Sequence, residues 1–219
     1  MSIDQKFNFN FDIAEPKQKN NIVVFFLRSK EKMKDDLMKT YRHCINVMPI
    51  SNIIFMDNYS SVKRTIRKSI KSVGFLSNIT KEKGIMEFLD LALSYHKTDL
   101  KFIVAGPFQD KNIENEVSRR ISTSDNIDYL GPVYNNKKND FFSSIDLFVL
   151  PTKNETEGIV NLEALQYGVP VIAYARGCIP EIINDSVGYC IDPSDNFIIV
   201  AKVIIDNWLN NPNKFSTIS

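Results

Sequence analysis

Two glutamates, Glu155 and Glu163, stand with seven residues between them in the run Leu150–Ala164, LPTKNETEGIVNLEA. A strand is expected to end at Pro151, a polar loop to follow, and a helix to begin near Val160, with Gly158 allowing the backbone to approach a ligand closely. A carboxylate near a helix amino terminus is held as the anion and can accept hydrogen bonds from paired hydroxyls such as a ribose diol. Glu163 is the candidate for that role, and Glu155 sits where an incoming sugar would meet the loop. Taken alone, Glu163 reads equally well as a residue that caps or solvates its helix. A second loop, Gly74-Phe75-Leu76-Ser77-Asn78 running through Lys81 to Lys83-Gly84, sets small polar groups and lysines before a helix start. Backbone N–H groups and the helix dipole point the same way there, which suits an anion such as phosphate. A third, Gly131-Pro132-Val133-Tyr134, offers exposed backbone and an aromatic ring to a flat ligand.

These loops gain meaning from the elements that must carry them. Short apolar runs at Ile22–Leu27, Asn52–Met56, Ile70–Leu76, Leu100–Ala105, Ile127–Leu130, Asp146–Leu150, Pro170–Ala173 and Gly188–Ile191 predict strands. They alternate with segments of helical period at Lys30–Cys44, Gly84–His96, Asn112–Ser122, Lys137–Ser143, Val160–Tyr167, Pro180–Ile183 and Asp195–Asn210. The alternation is that of an α/β, doubly wound parallel sheet, in which ligands bind beyond the carboxyl ends of the strands. In the helix after Gly84, Ile85, Phe88, Leu89, Leu91, Ala92 and Tyr95 share one face, and Thr80 is the candidate N-cap. The cluster Lys63, Arg64, Arg67, Lys68 and Lys71 reads as a solvated linker or edge.

Composition excludes several classes. With 219 residues, 43% hydrophobic and 24% charged, the chain can bury a core, and disordered or low-complexity classes are out. Lys plus Arg is 27 and Asp plus Glu 26, a formal charge of +1, so nucleic acid is not an expected partner. Cys44, Cys178 and Cys190 form no C-x-x-C, and the two histidines, His43 and His96, stand apart from them, which argues against a disulfide framework and a zinc site. No G-x-G-x-x-G follows any strand, so a dinucleotide enzyme is set aside. No apolar run reaches a membrane span and the opening MSIDQKFNFNFD lacks a signal-peptide core, so a cytoplasmic location is expected.

Together the loops resemble the donor-binding half of the retaining, two-domain GT-B glycosyltransferases of the glycogen-synthase-like family 4. The resemblance is carried by Lys83-Gly84, Val104-Ala105-Gly106, Leu130-Gly131-Pro132-Val133 and Ser144 through Pro151, and most of all by Glu155 and Glu163. It continues through Gly168-Val169-Pro170-Val171-Ile172-Ala173 and Gly177-Cys178-Ile179-Pro180-Glu181, and so covers roughly residues 70–193. It implies a Rossmann-like sheet and a UDP- or GDP-linked sugar donor, with no metal or other cofactor. By position, Glu163 would hold the ribose hydroxyls and Glu155 would lie by the donor sugar. Backbone at Gly158, Ile159, Val160 and Asn161 would approach the sugar and diphosphate, with Ser77 and Asn78 in the phosphate loop. Lys83 would neutralise the departing diphosphate, and Pro132 and Val133 would contact the base. Two positions depart from the pattern. Phe75 stands where many relatives carry an arginine that forms a second phosphate cation, with Lys81 as a possible substitute, and Thr156 replaces a glycine.

The same resemblance sets the expected domains. Residues 1–20 read as a disordered leader, 21–68 as a partial βαβ remnant of the amino-terminal acceptor domain with its linker, 69–210 as the donor-binding domain and 211–219 as a truncated tail. The acceptor, a glycan or a lipid-linked sugar, would then be met through an acceptor-domain partner chain or through self-association, and Val24, Phe26, Leu37 and Ile54, left partly uncovered, would invite either, with mixed-chain dimers as the expectation. Such a partner could also hold the chain at the inner face of the membrane. The chain by itself is expected to transfer slowly or not at all. Two other readings stand beside this one: a non-catalytic nucleotide-sugar binding or assembly module, and another two-Rossmann enzyme acting on nucleotide sugars, such as an epimerase.

Overall fold

The computed structural model describes residues 66–155 and 158–218. The expected leader and the remnant with its strands at 22–27 and 52–56 and helix at 30–44 lie outside the described residues. Within them, continuous Val, Ile, Leu and Phe runs form six strands: β1 Ser72–Leu76, β2 Lys101–Ala105, β3 Ile127–Tyr129, β4 Leu147–Leu150, β5 Val171–Tyr174 and β6 Gly188–Ile191. All pairings are parallel, in the order β3-β2-β1-β4-β5-β6. The helices are α1 Ile85–Leu93, α2 Lys111–Ser122, α3 Asn136–Ser144, α4 Ile159–Gln166, α5 Ile179–Ile182, α6 Phe197–Asn210 and α7 Pro212–Ser216. This is the expected α/β, Rossmann-like, doubly wound sheet. Val73, Phe75, Phe102, Val104, Leu147 and Val171 are fully buried, as strands covered on both faces require.

The inner face of α1 holds the residues its period predicts, with Ile85, Phe88, Leu89, Leu91 and Ala92 buried. Phe88 on this face meets the Phe75 ring at a tilt and the Phe102 ring edge-on, at centroid distances of 5.3 and 5.6 Å. Across its outer end, the Tyr95 hydroxyl donates to Asp206 of α6 at 2.7 Å. No helix among the described residues is long and apolar enough to cross a membrane.

Two local expectations are corrected. Thr80 does not cap α1: its hydroxyl accepts from the Lys83 N–H at 3.2 Å, closing a separate turn, and the helix begins after Gly84, whose φ of 81° breaks the run. The basic cluster is not uniformly solvated. Lys68 and Lys71 are exposed, but Arg67 is only 6% exposed, with its guanidinium donating to the carbonyls of Phe142 and Tyr167 at 3.1 Å and Ile145 at 3.2 Å. It lies where α3 and α4 leave carbonyls without helical partners, and a planar fork of donors satisfies several at once. The segment after Asn210 is helical at its start. It forms α7, whose Phe215 is fully buried against Trp208 at 5.8 Å.

Candidate functional site

The strand order reverses between β1 and β4, and the connections leaving these two strands meet beyond their carboxyl ends. That is where an open α/β sheet leaves a crevice. A cavity of about 460 Å³ lies there, with Leu76 and Leu150 among its walls. Ser77, Asn78 and Lys83 line it from the β1–α1 loop, Gly106 and Pro107 from the end of β2, Val133, Tyr134, Asn135 and Lys138 from the β3–α3 connection, and Glu155, Val160 and Glu163 from the β4–α4 side.

The loops are tied to one another. The Ile79 N–H donates to the Pro107 carbonyl at 2.8 Å, the Gly106 N–H to Gly131 at 2.9 Å, and the Lys153 N–H to Glu82 at 2.9 Å. The Lys153 ammonium also pairs with Glu87 at 2.5 Å, and that hydrogen bond raises its pKa above the ordinary lysine value. Gly84 belongs to this junction. A β-carbon there would run into the Pro151 carbonyl, so the two loops can approach only because the residue is glycine.

The junction brings Lys83 onto Glu155, Nζ to Oε2 2.8 Å, although the two are 72 positions apart in the chain. The second glutamate has its own cation. The Lys138 ammonium sits astride the Glu163 carboxylate, 2.6 Å from Oε1 and 2.5 Å from Oε2. All four side chains are partly buried, between 15% and 32% exposed, so these pairs are less screened than surface pairs. Glu163 is the fifth residue of α4, beyond the first turn where the helix dipole acts, so the lysine across the cavity neutralises it.

Seven of the eleven expected site residues therefore converge on one cavity: Lys83, Glu155, Glu163, Val160, Val133, Ser77 and Asn78. Pro132 is exposed beside it, and Gly158, Ile159 and Asn161 form the turn and first residues of α4 without lining it. Gly158 has a left-handed φ of 66° and precedes the helix directly. Asn161 is fully buried, and neither of its amide atoms has a hydrogen-bond partner among the described residues. Phe75 turns away from the cavity into the core, and Lys81 pairs with Glu116 on α2 at 3.4 Å. Neither position therefore puts a cation in the cavity. Sequence reasoning missed Lys138. A signal existed: Phe141 and Phe142 mark the inward stripe of α3, and Lys138 lies three and four positions before them on that same stripe.

The family model for glycosyl transferases group 1 matches residues 59–217. The chain belongs to that family. Among relatives of this group 1 chain, the capsular polysaccharide biosynthesis glycosyltransferase CapM of Staphylococcus aureus is 26% identical over 152 residues, covering 67% of this chain and 38% of CapM. The chain spans about half the length, or less, of the curated relatives it matches. Among solved structures, Anabaena HepE in complex with UDP and glucose superposes with a TM-score of 0.68 at 19% identity, covering 90% of this chain and 56% of HepE. The carboxyl-terminal domain of a group 1 family protein, LpcC, from Francisella tularensis superposes with a TM-score of 0.58 at 25% identity, covering 67% of this chain and 79% of that domain. The group 1 sheet described above thus has the Rossmann-like fold of GT-B glycosyltransferases.

Proposed function

We propose that this group 1 chain supplies the donor-binding half of a retaining, family 4-type glycosyltransferase that uses a UDP- or GDP-linked sugar without a metal. The observation that carries this reading is the convergence of Lys83, Glu155 and Glu163 on one cavity at the sheet's switch point. Glu163 accepts the ribose hydroxyls, Val133 and its neighbour Pro132 border the base, and Glu155 lies beside the donor sugar. The amino-terminal turn of α4, Gly158 to Asn161, approaches the diphosphate and sugar. As the bond from the anomeric carbon to the phosphate oxygen breaks, negative charge grows on the departing diphosphate. Lys83 is placed to stabilise it, and preorganised charge of this kind is usually the largest catalytic term.

The acceptor is a glycan or lipid-linked sugar, in keeping with relatives such as CapM, and it is met through an acceptor domain or partner chain. An acceptor domain closing over the donor excludes water and orients the acceptor, so the rate of transfer depends on it. Calorimetric titration with UDP, GDP, ADP and their sugars tests the reading, with Glu163→Ala as control. Saturable binding of one nucleotide, lost in the control, is expected; no binding of any by the wild-type chain overturns it. Glu155→Ala leaving sugar transfer unchanged, in the presence of the acceptor domain, would favour a binding module instead.

A further inference from the structure

Among the described residues, the charges that line the cavity balance. Its charged lining consists of Lys83, Lys138, Glu155 and Glu163, two cations and two anions, and each lysine rests on a glutamate from the opposite wall. A nucleoside diphosphate entering this space brings two or three further negative charges, and among the described lining residues each cation already rests on a carboxylate. It also brings the diol that competes for Glu163. An ammonium group bridging both carboxylate oxygens occupies the same edge that two adjacent hydroxyls need for a paired hydrogen bond.

We infer that Lys138 is an exchangeable cation of this site: it holds Glu163 in the empty cavity, yields it to the ribose diol, and moves onto the donor's diphosphate. The inference rests on the donor-site reading above and adds to it a residue that makes binding depend on ribose and phosphate together. A nucleoside alone displaces Lys138 without supplying the anion that would compensate it. Inorganic pyrophosphate alone draws Lys138 away and leaves Glu163 uncovered. Only a ligand carrying both satisfies all four groups, so the ion pair acts as a filter for nucleoside diphosphates over their parts. Lys138 is suited to the exchange. It is the third residue of α3, its side chain is 32% exposed, and an ammonium on a four-carbon stem can change partners without backbone movement.

The test compares the full chain with Lys138→Met, which keeps the apolar stem, and Lys138→Arg, which keeps the charge. Each is titrated with UDP, GDP and ADP by calorimetry, and with the matching nucleosides by ligand-observed NMR. Loss of Lys138 is expected to act with opposite signs: affinity for the bound diphosphate falls about tenfold, the scale of one charge-assisted hydrogen bond, while affinity for its nucleoside rises about threefold. Lys138→Arg should stay within about threefold of wild type for the diphosphate. A Lys138→Met chain that weakens both ligands in parallel, or changes neither, overturns the inference while leaving the donor site standing. A wild-type chain that binds no nucleotide overturns both. A circular dichroism spectrum matching wild type establishes that Lys138→Met is folded, and if it is not, the same opposite-signed comparison is made with Lys138→Gln.

Discussion

Replacing Arg67 by methionine is expected to destabilise the domain by about 2–5 kcal/mol, although Arg67 lies outside the candidate site. Its guanidinium reaches the carbonyls of Phe142, Tyr167 and Ile145 within 3.3 Å, and that of Ser143 at 3.5 Å. Three carbonyls left buried without donors cost roughly 1–3 kcal/mol each, or about 3–9 together. Against this stands the penalty of burying the cation, several kcal/mol, which methionine removes. That penalty is real here: burial lowers the Arg67 pKa, and the Asp146 carboxylate only partly opposes it. The balance favours destabilisation because the carbonyls belong to the end of α3 and the residue after α4, which cannot turn to water without unwinding. Urea denaturation followed by circular dichroism measures the effect, and a shifted midpoint with unchanged slope would report stability alone. Arg67→Lys should lose about half as much, since one ammonium cannot span carbonyls from two helices. An Arg67→Met chain within about 0.5 kcal/mol of wild type would refute the reasoning and show that the guanidinium is a passenger in its pocket.

Two further outcomes follow from local geometry. Gly84→Ala should cost about 3 kcal/mol, from a left-handed alanine at φ 81° at roughly 1–2 kcal/mol together with a collision against the Pro151 carbonyl, and a thermal melt unchanged by the substitution would contradict the packing of the two loops. Burial pushes the Cys190 thiol from 9.0 up to about 11, so at pH 8 it carries about 100-fold less thiolate than an unperturbed thiol. Native iodoacetamide labelling read by peptide mapping should therefore leave Cys190 unmodified at pH 8, rising about tenfold per pH unit, with full reaction in denaturant. Rapid native labelling would show that the strand-edge packing around it opens.

The sheet was legible because parallel strands covered on both faces must be apolar at nearly every position, so Phe102–Ala105 and Leu147–Leu150 stand out without any alternation. Helix ends were less so. The helical period continues through His96, but α1 ends at Leu93, and turns closing at Ser94, Tyr95 and His96 bury the Tyr95 ring over Phe102. The two glutamates and Lys83 could be found because their types and loop positions match a known pattern. The partner of Glu163 was not found in the same way. Lys138 meets Glu163 25 positions further along the chain and Arg67 meets Tyr167 100 positions further, and although the stripe of α3 turns Lys138 inward, nothing local to either basic residue names its acceptor. Phe75 shows the reverse difficulty: its neighbours suggest a phosphate loop, but the pleat of β1 turns it onto Phe88, inside the core.

How far the site can rearrange follows from which parts are tied down. The β1–α1 loop is anchored at its middle by Ile79, fully buried and bridged to Phe108, and at its end by Gly84 against Pro151. The β2 and β3 ends are joined through Gly106 and Gly131, and the Tyr129 hydroxyl also donates to the Gly106 carbonyl at 2.8 Å. Backbone groups around the cavity are therefore held before any ligand arrives, which is the condition under which fixed dipoles and charges act most strongly. The long side chains are not held in this way. Among the described residues, the ammonium groups of Lys83 and Lys138 are held by the carboxylates of Glu155 and Glu163, the two groups that the proposed donor-site reading assigns to the sugar nucleotide. On the proposed donor-site reading, ligand recognition draws on the exchange of the Lys138–Glu163 pair within a rigid backbone frame, and variants that alter that pair should change which ligand binds more than whether the domain folds.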